Sequence, residues 1–267
     1  SKNPYPVGPL YEKLKKLWTT PINSNEAYYR GVRAPARAHP KLGPFLRIGT
    51  WNIEKSFEIE RVVRILKSGG TYLNMIDPVK APPFSSQALT AVKQRDLLAE
   101  ADILTLQEMD IGVKRSDYVD AAKELANALD MNYAYGAAYL EIDPAYLGTE
   151  SIAFEEGGVD QEAIDYFRVD PARYKGLFGV AVLSRYPIKS VTVFPLKHQG
   201  YDWYTGEKNK TTFLEKTRRF GALSVFRSEV HRELKVGNRI FMRVDLHVPG
   251  LPEDTLTIIN IHLEIKC

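Results

Sequence analysis

The chain has one cysteine, Cys267, at its last position. An internal disulfide is therefore excluded, and a terminal thiol with no Cys or His spacing around it is no metal-binding motif. No run approaches the roughly 18 to 20 apolar residues needed to cross a bilayer, and the first residues lack the basic, apolar and small-residue order of a signal peptide. A secreted protein whose signal has been removed stays compatible with this, so the compartment is open. There is no internal repeat and no low-complexity tract. The chain also lacks a large excess of either charge, since the formal net charge is only +3. What is present is ordinary for a folded domain: 267 residues, 44% hydrophobic and 26% charged, bury a large core without needing to split in two.

The modest charge is unevenly placed. Residues 1–46 carry eight Lys or Arg against two Glu, a balance of +6 that leaves −3 for the rest. This basic, proline-containing arm suits an anionic partner or simply a solvated segment packed on the domain surface. Between Glu141 and Asp170 nine acidic residues face one basic residue, Arg168. With Gly157–Gly158 and little periodicity, 141–178 reads as an acidic surface insertion. Acid beside a binding site opposes tight, sequence-blind binding of long nucleic acid, which depends on phosphate neutralisation by Lys and Arg.

Three apolar strands are expected to end in polar residues: Leu46–Asn52, Asp102–Glu108 and Thr255–Leu263. Residues i and i+2 of a strand share a face. That aligns Leu46, Ile48, Thr50 and Asn52; Asp102, Leu104, Leu106 and Glu108; and Leu256, Ile258, Asn260 and His262. An amide, a carboxylate and an imidazole at the ends of apolar rows are costly to bury unless they pair, and a common cluster at one sheet edge would satisfy all three. Between these strands, Ile59, Val62, Val63 and Leu66 have helical spacing, with Gly69–Gly70 as a stop. Ser85 or Ser86 is placed to cap a second helix running to about Glu100. Ser116 or Asp117 is placed to cap a third, with Val119, Ala122, Leu125, Ala126 and Leu129 inward. From Gly179 the pattern changes to strands (GVAVLS, IKSVTVF, RRFGALSVF, RIFMRVDLHV, TLTIINIHL), with a turn at Pro249–Asp254.

Taken in order, WNIE, ADILTLQE, GVAVLSRYPI and INIHLE resemble the endonuclease/exonuclease/phosphatase superfamily of metal-dependent phosphoesterases, closest in flavour to bacterial members of unassigned substrate. The resemblance runs from about Leu46 to Glu264. It implies a four-layer α/β/β/α sandwich of two packed mixed sheets, with 47–267 as the N-terminal portion of the domain. It also implies hydrolysis of a phosphodiester or phosphomonoester by metal-activated water. Glu108 matches the carboxylate that ligates the metal, expected to be Mg²⁺ with Mn²⁺ or Ca²⁺ as alternatives, and Asn52 matches the amide that completes the metal and phosphate pocket. His262 matches the imidazole that reaches the scissile phosphate oxygen, with Asn260 on its face to orient it.

Other residues leave two readings open. Arg185, Arg218 and Arg219 suit bidentate phosphate contacts or surface ion pairs. Asp110 and Arg115 suit support of Glu108 from behind or a plain loop ion pair. Tyr201, Trp203 and Tyr204, near Lys208 and Lys210, suit stacking on a base, contact with a lipid interface, or closure of a loop over the core.

The family pattern continues after HLE with a helix, a Gly-Asp-x-Asn segment and a late Asp-His pair, none of which occurs in the 267 residues. The Asp that activates water and the late His are thus expected from a further segment, in cis or as a separate chain, and this chain alone is expected to be nearly inactive. The alternative is a non-catalytic module that keeps a half-site for a phosphorylated ligand or a protein. Nucleic acid, phospholipid, inositol phosphate and nucleotide all remain candidate substrates.

Overall fold

Apolar alternation along the strands produces two sheets stacked face to face. A computed structural model describes residues 8–142, 170–197, 201–208, 216, 217, 220 and 234–263. In chain order the elements are α1 (Pro9–Thr19), β1 (Ile22–Ser24), α2 (Glu26–Tyr29), β2 (Ala38–His39), β3 (Gly43–Pro44), β4 (Ile48–Asn52), α3 (Ile59–Lys67), α4 (Gly69–Leu73), α5 (Ser86–Ala99), β5 (Ile103–Ile111) and α6 (Ala121–Leu129). There follow β6 (Asn132–Glu141), β7 (Leu177–Ser184), β8 (Ile188–Pro195), α7 (Trp203–Lys208), β9 (Lys235–Gly237), β10 (Ile240–His247) and β11 (Thr255–Ile261).

The larger sheet has the order β1-β6-β7-β5-β4, with β9 also paired to β6, and the smaller has the order β11-β10-β8. Only β4 and β5 run parallel in the larger sheet; its other pairs are antiparallel. Side chains from both sheets interlock in one core, where Tyr135, Val182 and Leu183 share a cluster with Val193, Met242, Val244 and Leu246. The sheets approach closely at Gly136, where a Cβ would lie 2.8 Å from Ile240 Cδ1 and 3.0 Å from Met242 Sδ, so a larger residue would push on both side chains.

Helices cover the other face of the larger sheet. α6 buries Ala121, Ala122, Leu125, Ala126 and Leu129; the last four are the inward residues its spacing predicts, whereas Val119 precedes the helix and is half-buried. Its cap is Asp120, whose side chain accepts from Lys123 N–H at 3.0 Å, not Ser116 or Asp117, because residues 114–116 form a separate 3-10 turn that ends in left-handed Asp117. α5 is capped by Ser85, which accepts from Ala88 N–H. The α/β sandwich is therefore present, with the outer face of the smaller sheet showing Phe194, Ile259 and Ile261 to solvent.

The N-terminal arm is more deeply built in than its composition suggests. Leu14 and Trp18 of α1 are buried, and Trp18 Nε1–H donates to the Ala137 carbonyl at 2.8 Å. β1 extends the larger sheet by pairing with β6. Arg37 Nε reaches both oxygens of the fully buried Asp102 at 3.1 and 3.0 Å. Among residues 8–46, then, the basic side chains include structural ties. Of the acidic insertion, residues 143–169 lie outside the described residues. So do Arg218, Arg219, Lys210, Glu264, Cys267 and most of the expected RRFGALSVF strand. No helix among the described residues is long and apolar enough to cross a membrane.

Candidate active site

The parallel pairing of β4 with β5 sets Asn52 level with Gln107, so both strands deliver polar residues at the same end of the sheet. Strict alternation would nevertheless keep Asn52 and Glu108 apart. Leu104 shares the helical side with Leu98, since both press on the Cβ position of Gly49, and Glu108 is an even step from Leu104. Thr50 lies on the opposite face, where its Oγ1 accepts from Gln107 Nε2 at 3.3 Å. A β-bulge resolves the conflict. The β5–β7 register shifts between Gln107 and Met109, and Glu108 takes a left-handed φ of 58°, which re-aims its side chain as bulges do. Asn52 Nδ2 then donates to Glu108 Oε1 at 3.0 Å.

The amide orientation follows from its two contacts. Asn52 Oδ1 accepts from Glu54 N–H at 3.0 Å, so turning the amide over would set oxygen against carboxylate and nitrogen against N–H. In this arrangement Asn52 orients Glu108, and its Oδ1 keeps a second lone pair beyond the bond from Glu54 N–H.

Behind Glu108 the chain is strained. Glu54, Lys55 and Ser56 are all left-handed, with φ of 51°, 55° and 55°, a conformation costing about 1–2 kcal/mol for each residue other than glycine. Side chains hold the turn in place. Ser56 is buried; its Oγ donates to the Glu108 carbonyl at 3.3 Å and accepts from Asp110 N–H at 3.0 Å. Arg115 Nε donates to the Lys55 carbonyl at 3.3 Å. The same guanidinium grips Asp110 at 2.6 and 2.7 Å and Glu141 at 2.6 and 2.8 Å. Burial pushes the Asp110 carboxyl up to about 8 against the pull of Arg115. Burial also disfavours the Arg115 charge, but Glu141 and Asp110 raise its pKa overall. Asp110 N–H is linked to the Glu108 backbone carbonyl through Ser56 Oγ, and Arg115 joins Asp110 to Glu141 in a buried triad.

The second sheet contributes β11. Asn260 is 2% exposed; its Nδ2 donates to the Leu106 and Ala181 carbonyls at 3.0 and 2.8 Å, and its Oδ1 accepts from Gln107 Nε2 at 2.9 Å. Both ends of this amide are used in bolting the two sheets together, so Asn260 does not reach the pocket as a catalytic group. Two residues on, His262 Nε2 lies 3.7 Å from Glu108 Oε1, while Nδ1 lies 3.0 Å from Arg239 Nη1. Asn52, Glu108 and His262 thus meet at one edge of the sandwich.

Arg185 does not join them. Its guanidinium donates to the carbonyls of Ala101, Leu129 and Ala99 at 3.0, 3.1 and 3.0 Å, tying the C-terminal ends of α5 and α6 to the opposite end of β5. The expected phosphate clamp is corrected to a carbonyl cap, because three backbone acceptors already surround the side chain. Trp203 lies over buried Lys235, whose Nζ is 4.1 Å from its ring centroid and 4.8 and 5.0 Å from those of Tyr139 and Phe178, which favours core closure over stacking on a ligand. Ser56, Gln107 and Arg239 were not anticipated. Gln107 carries a signal, being next to Glu108 in LQE; Ser56 and Arg239 carry none.

Glu108 Oε1 faces Asn52 and His262, whereas Oε2 has no hydrogen-bond partner among the described residues. One open carboxylate oxygen suits Mg²⁺, which keeps several waters and takes one or two protein carboxylates. No three His, Cys, Asp or Glu side chains among the described residues converge as a metal cluster.

Residues 49–248 match the sequence model of the Endonuclease/Exonuclease/phosphatase family. The chain belongs to this family. Members of the family hydrolyse phosphate esters and generally use divalent metal ions. Among solved structures, the chain is similar to the crystal structure of an endonuclease/exonuclease/phosphatase from Beutenbergia cavernae DSM 12333, at 15% identity and a TM-score of 0.36. The match covers 82% of this chain and 38% of that one, so the chain spans well under half the length of that relative. No curated protein matches it.

Proposed function

We propose that the chain carries the metal-binding and phosphate-facing half of a phosphoesterase site. The observation that supports this reading is the meeting of Asn52, Glu108 and His262, from two sheets, around a carboxylate with one oxygen open. Glu108 would hold Mg²⁺ through Oε2, with Mn²⁺ or Ca²⁺ as substitutes. Bound there, the cation supplies positive charge against the oxygens of a phosphate ester. Asn52 keeps Glu108 aimed by donating to Oε1. His262 faces the same space and offers an imidazole N–H to a phosphate oxygen as negative charge develops.

No third acidic or imidazole side chain joins Glu108 and His262 among the described residues. The base for water and the acid for the leaving oxygen are proposed to be groups other than Asn52, Glu108 and His262. Each such group contributes about 10²- to 10⁴-fold. The second reading, a module that binds phosphate without turnover, rests on that same absence. The acidic 141–170 stretch favours small or membrane-borne phosphate esters over long nucleic acid.

The test is a panel of DNA, a phospholipid, an inositol phosphate, a nucleotide and p-nitrophenyl phosphate esters, with Mg²⁺ or EDTA. The 267-residue chain is assayed with and without the continuing sequence. Mg²⁺-dependent turnover only in the longer protein supports the reading; metal-independent turnover, or none in either, contradicts it.

A further inference from the structure

Arg239 sits in the turn between β9 and β10, where its carbonyl accepts from Leu196 N–H at 2.8 Å. Its guanidinium carbon lies 5.7 Å from the ring centroid of buried Tyr139, and Nη1 is 3.0 Å from His262 Nδ1. A guanidinium has five N–H donors and no acceptor, so Nδ1 is the acceptor in this contact. In a neutral imidazole the proton then resides on Nε2, the nitrogen 3.7 Å from Glu108 Oε1. The other tautomer would turn N–H against N–H at Arg239 and a lone pair toward the carboxylate.

We propose that Arg239 is a positioning residue that fixes His262 as its Nε2–H tautomer and turns that hydrogen into the pocket shared with Glu108. The proposal deepens the reading that His262 faces the phosphate. An imidazole stabilises a developing phosphate charge only as a donor, and an unconstrained neutral ring divides its proton between two nitrogens. A fixed donor on the far nitrogen removes that division without touching substrate.

The test uses the 267-residue chain labelled with ¹⁵N-histidine, in long-range ¹H–¹⁵N correlation spectra at a pH where imidazoles are neutral. Five histidines are present, and the His262 signals are those lost in His262→Gln. The expected wild-type pattern is a protonated Nε2 with an unprotonated Nδ1. Arg239→Leu should replace it with a tautomer mixture, and Arg239→Lys, which keeps a donor, should restore much of it. A wild-type Nδ1–H pattern overturns the proposal, even where Arg239→Leu does not fold. So does a folded Arg239→Leu with unchanged signals. Hydrolysis is scored separately: the expected tautomer in a completed protein that turns over no phosphate ester retires the catalytic reading and leaves the Arg239 assignment standing.

Discussion

Asn52 Nδ2 donates to Glu108 Oε1 at 3.0 Å, joining the C-terminal end of β4 to the bulge in its parallel neighbour β5. A hydrogen bond to a charged group is worth about 1.5–3 kcal/mol. Asn52→Leu should therefore lower phosphate-ester turnover by the completed enzyme about 10- to 100-fold. Asn52→Asp, which sets two carboxylates together, should cost at least as much while retaining the bond from Glu54 N–H. Steady-state kinetics with circular dichroism as the fold control checks both, and near-wild-type turnover by Asn52→Asp would remove Asn52 from the site.

The left-handed turn at Glu54–Ser56 makes two opposite stability predictions. Ser56→Ala leaves the buried Asp110 N–H without its acceptor, at a cost of about 1–3 kcal/mol. Glu54→Gly relieves a φ of 51° while keeping the N–H that Asn52 needs, and should be neutral to about 1 kcal/mol stabilising. Urea denaturation separates them. A strongly destabilised Glu54→Gly would mean that the turn is not strained.

Arg115→Met should destabilise the fold by about 3–5 kcal/mol, since it leaves Asp110 and Glu141 buried without their partner. Burial and Glu141 already raise the Asp110 pKa, and Arg115 lowers it, so the variant loses the lowering influence. A carboxyl with a raised folded-state pKa contributes stability that is fully present below its unfolded value and is lost as pH rises through the folded one. The deficit of Arg115→Met relative to wild type should therefore stay level from about pH 4 to about pH 8, where folded Asp110 keeps its proton in both proteins, and widen above about pH 8. Thermal midpoints across that range check it, and a deficit that narrows with pH would contradict the account of the triad.

Arg185→Met separates a cap from a clamp. Losing three carbonyl partners should lower the thermal midpoint by several degrees, for a loss of roughly 1.5–3 kcal/mol. Divalent-ion affinity at Glu108, at the other end of β5, should not change. A selective loss of phosphate affinity at unchanged stability would restore the clamp.

Much of the fold was legible because strand and helix periodicities are properties of neighbouring residues. The inward face of α6 and the apolar rows of β5 and β11 follow from spacing alone. The meeting of Glu108, Asn52 and His262 was legible through the motifs that hold them, yet alternation alone would have turned Glu108 to the helical side. The bulge that corrects this has no glycine to announce it, and neither has the left-handed run at 54–56. Both persist through contacts distant in sequence: Ser56 to Glu108 and Asp110, and Arg115 to Lys55. Pairing of β1 with β6, the link from Arg115 to Glu141 and the bolt from Asn260 to Leu106 and Ala181 are likewise long-range choices. A basic composition at the N-terminus gives no sign that Arg37 will be held by Asp102.

The central claim is that Glu108 holds a divalent cation in a phosphate-facing pocket. The most direct measurement is Mn²⁺ binding followed by electron paramagnetic resonance, with Mg²⁺ competition, for the wild-type chain and Glu108→Gln. The account predicts one Mg²⁺-displaceable Mn²⁺ ion on the wild type and at least about tenfold weaker binding to Glu108→Gln at equal thermal stability, in line with the loss of a charged oxygen ligand. Equal affinity in the two proteins, or no displaceable ion on the wild type, would contradict it.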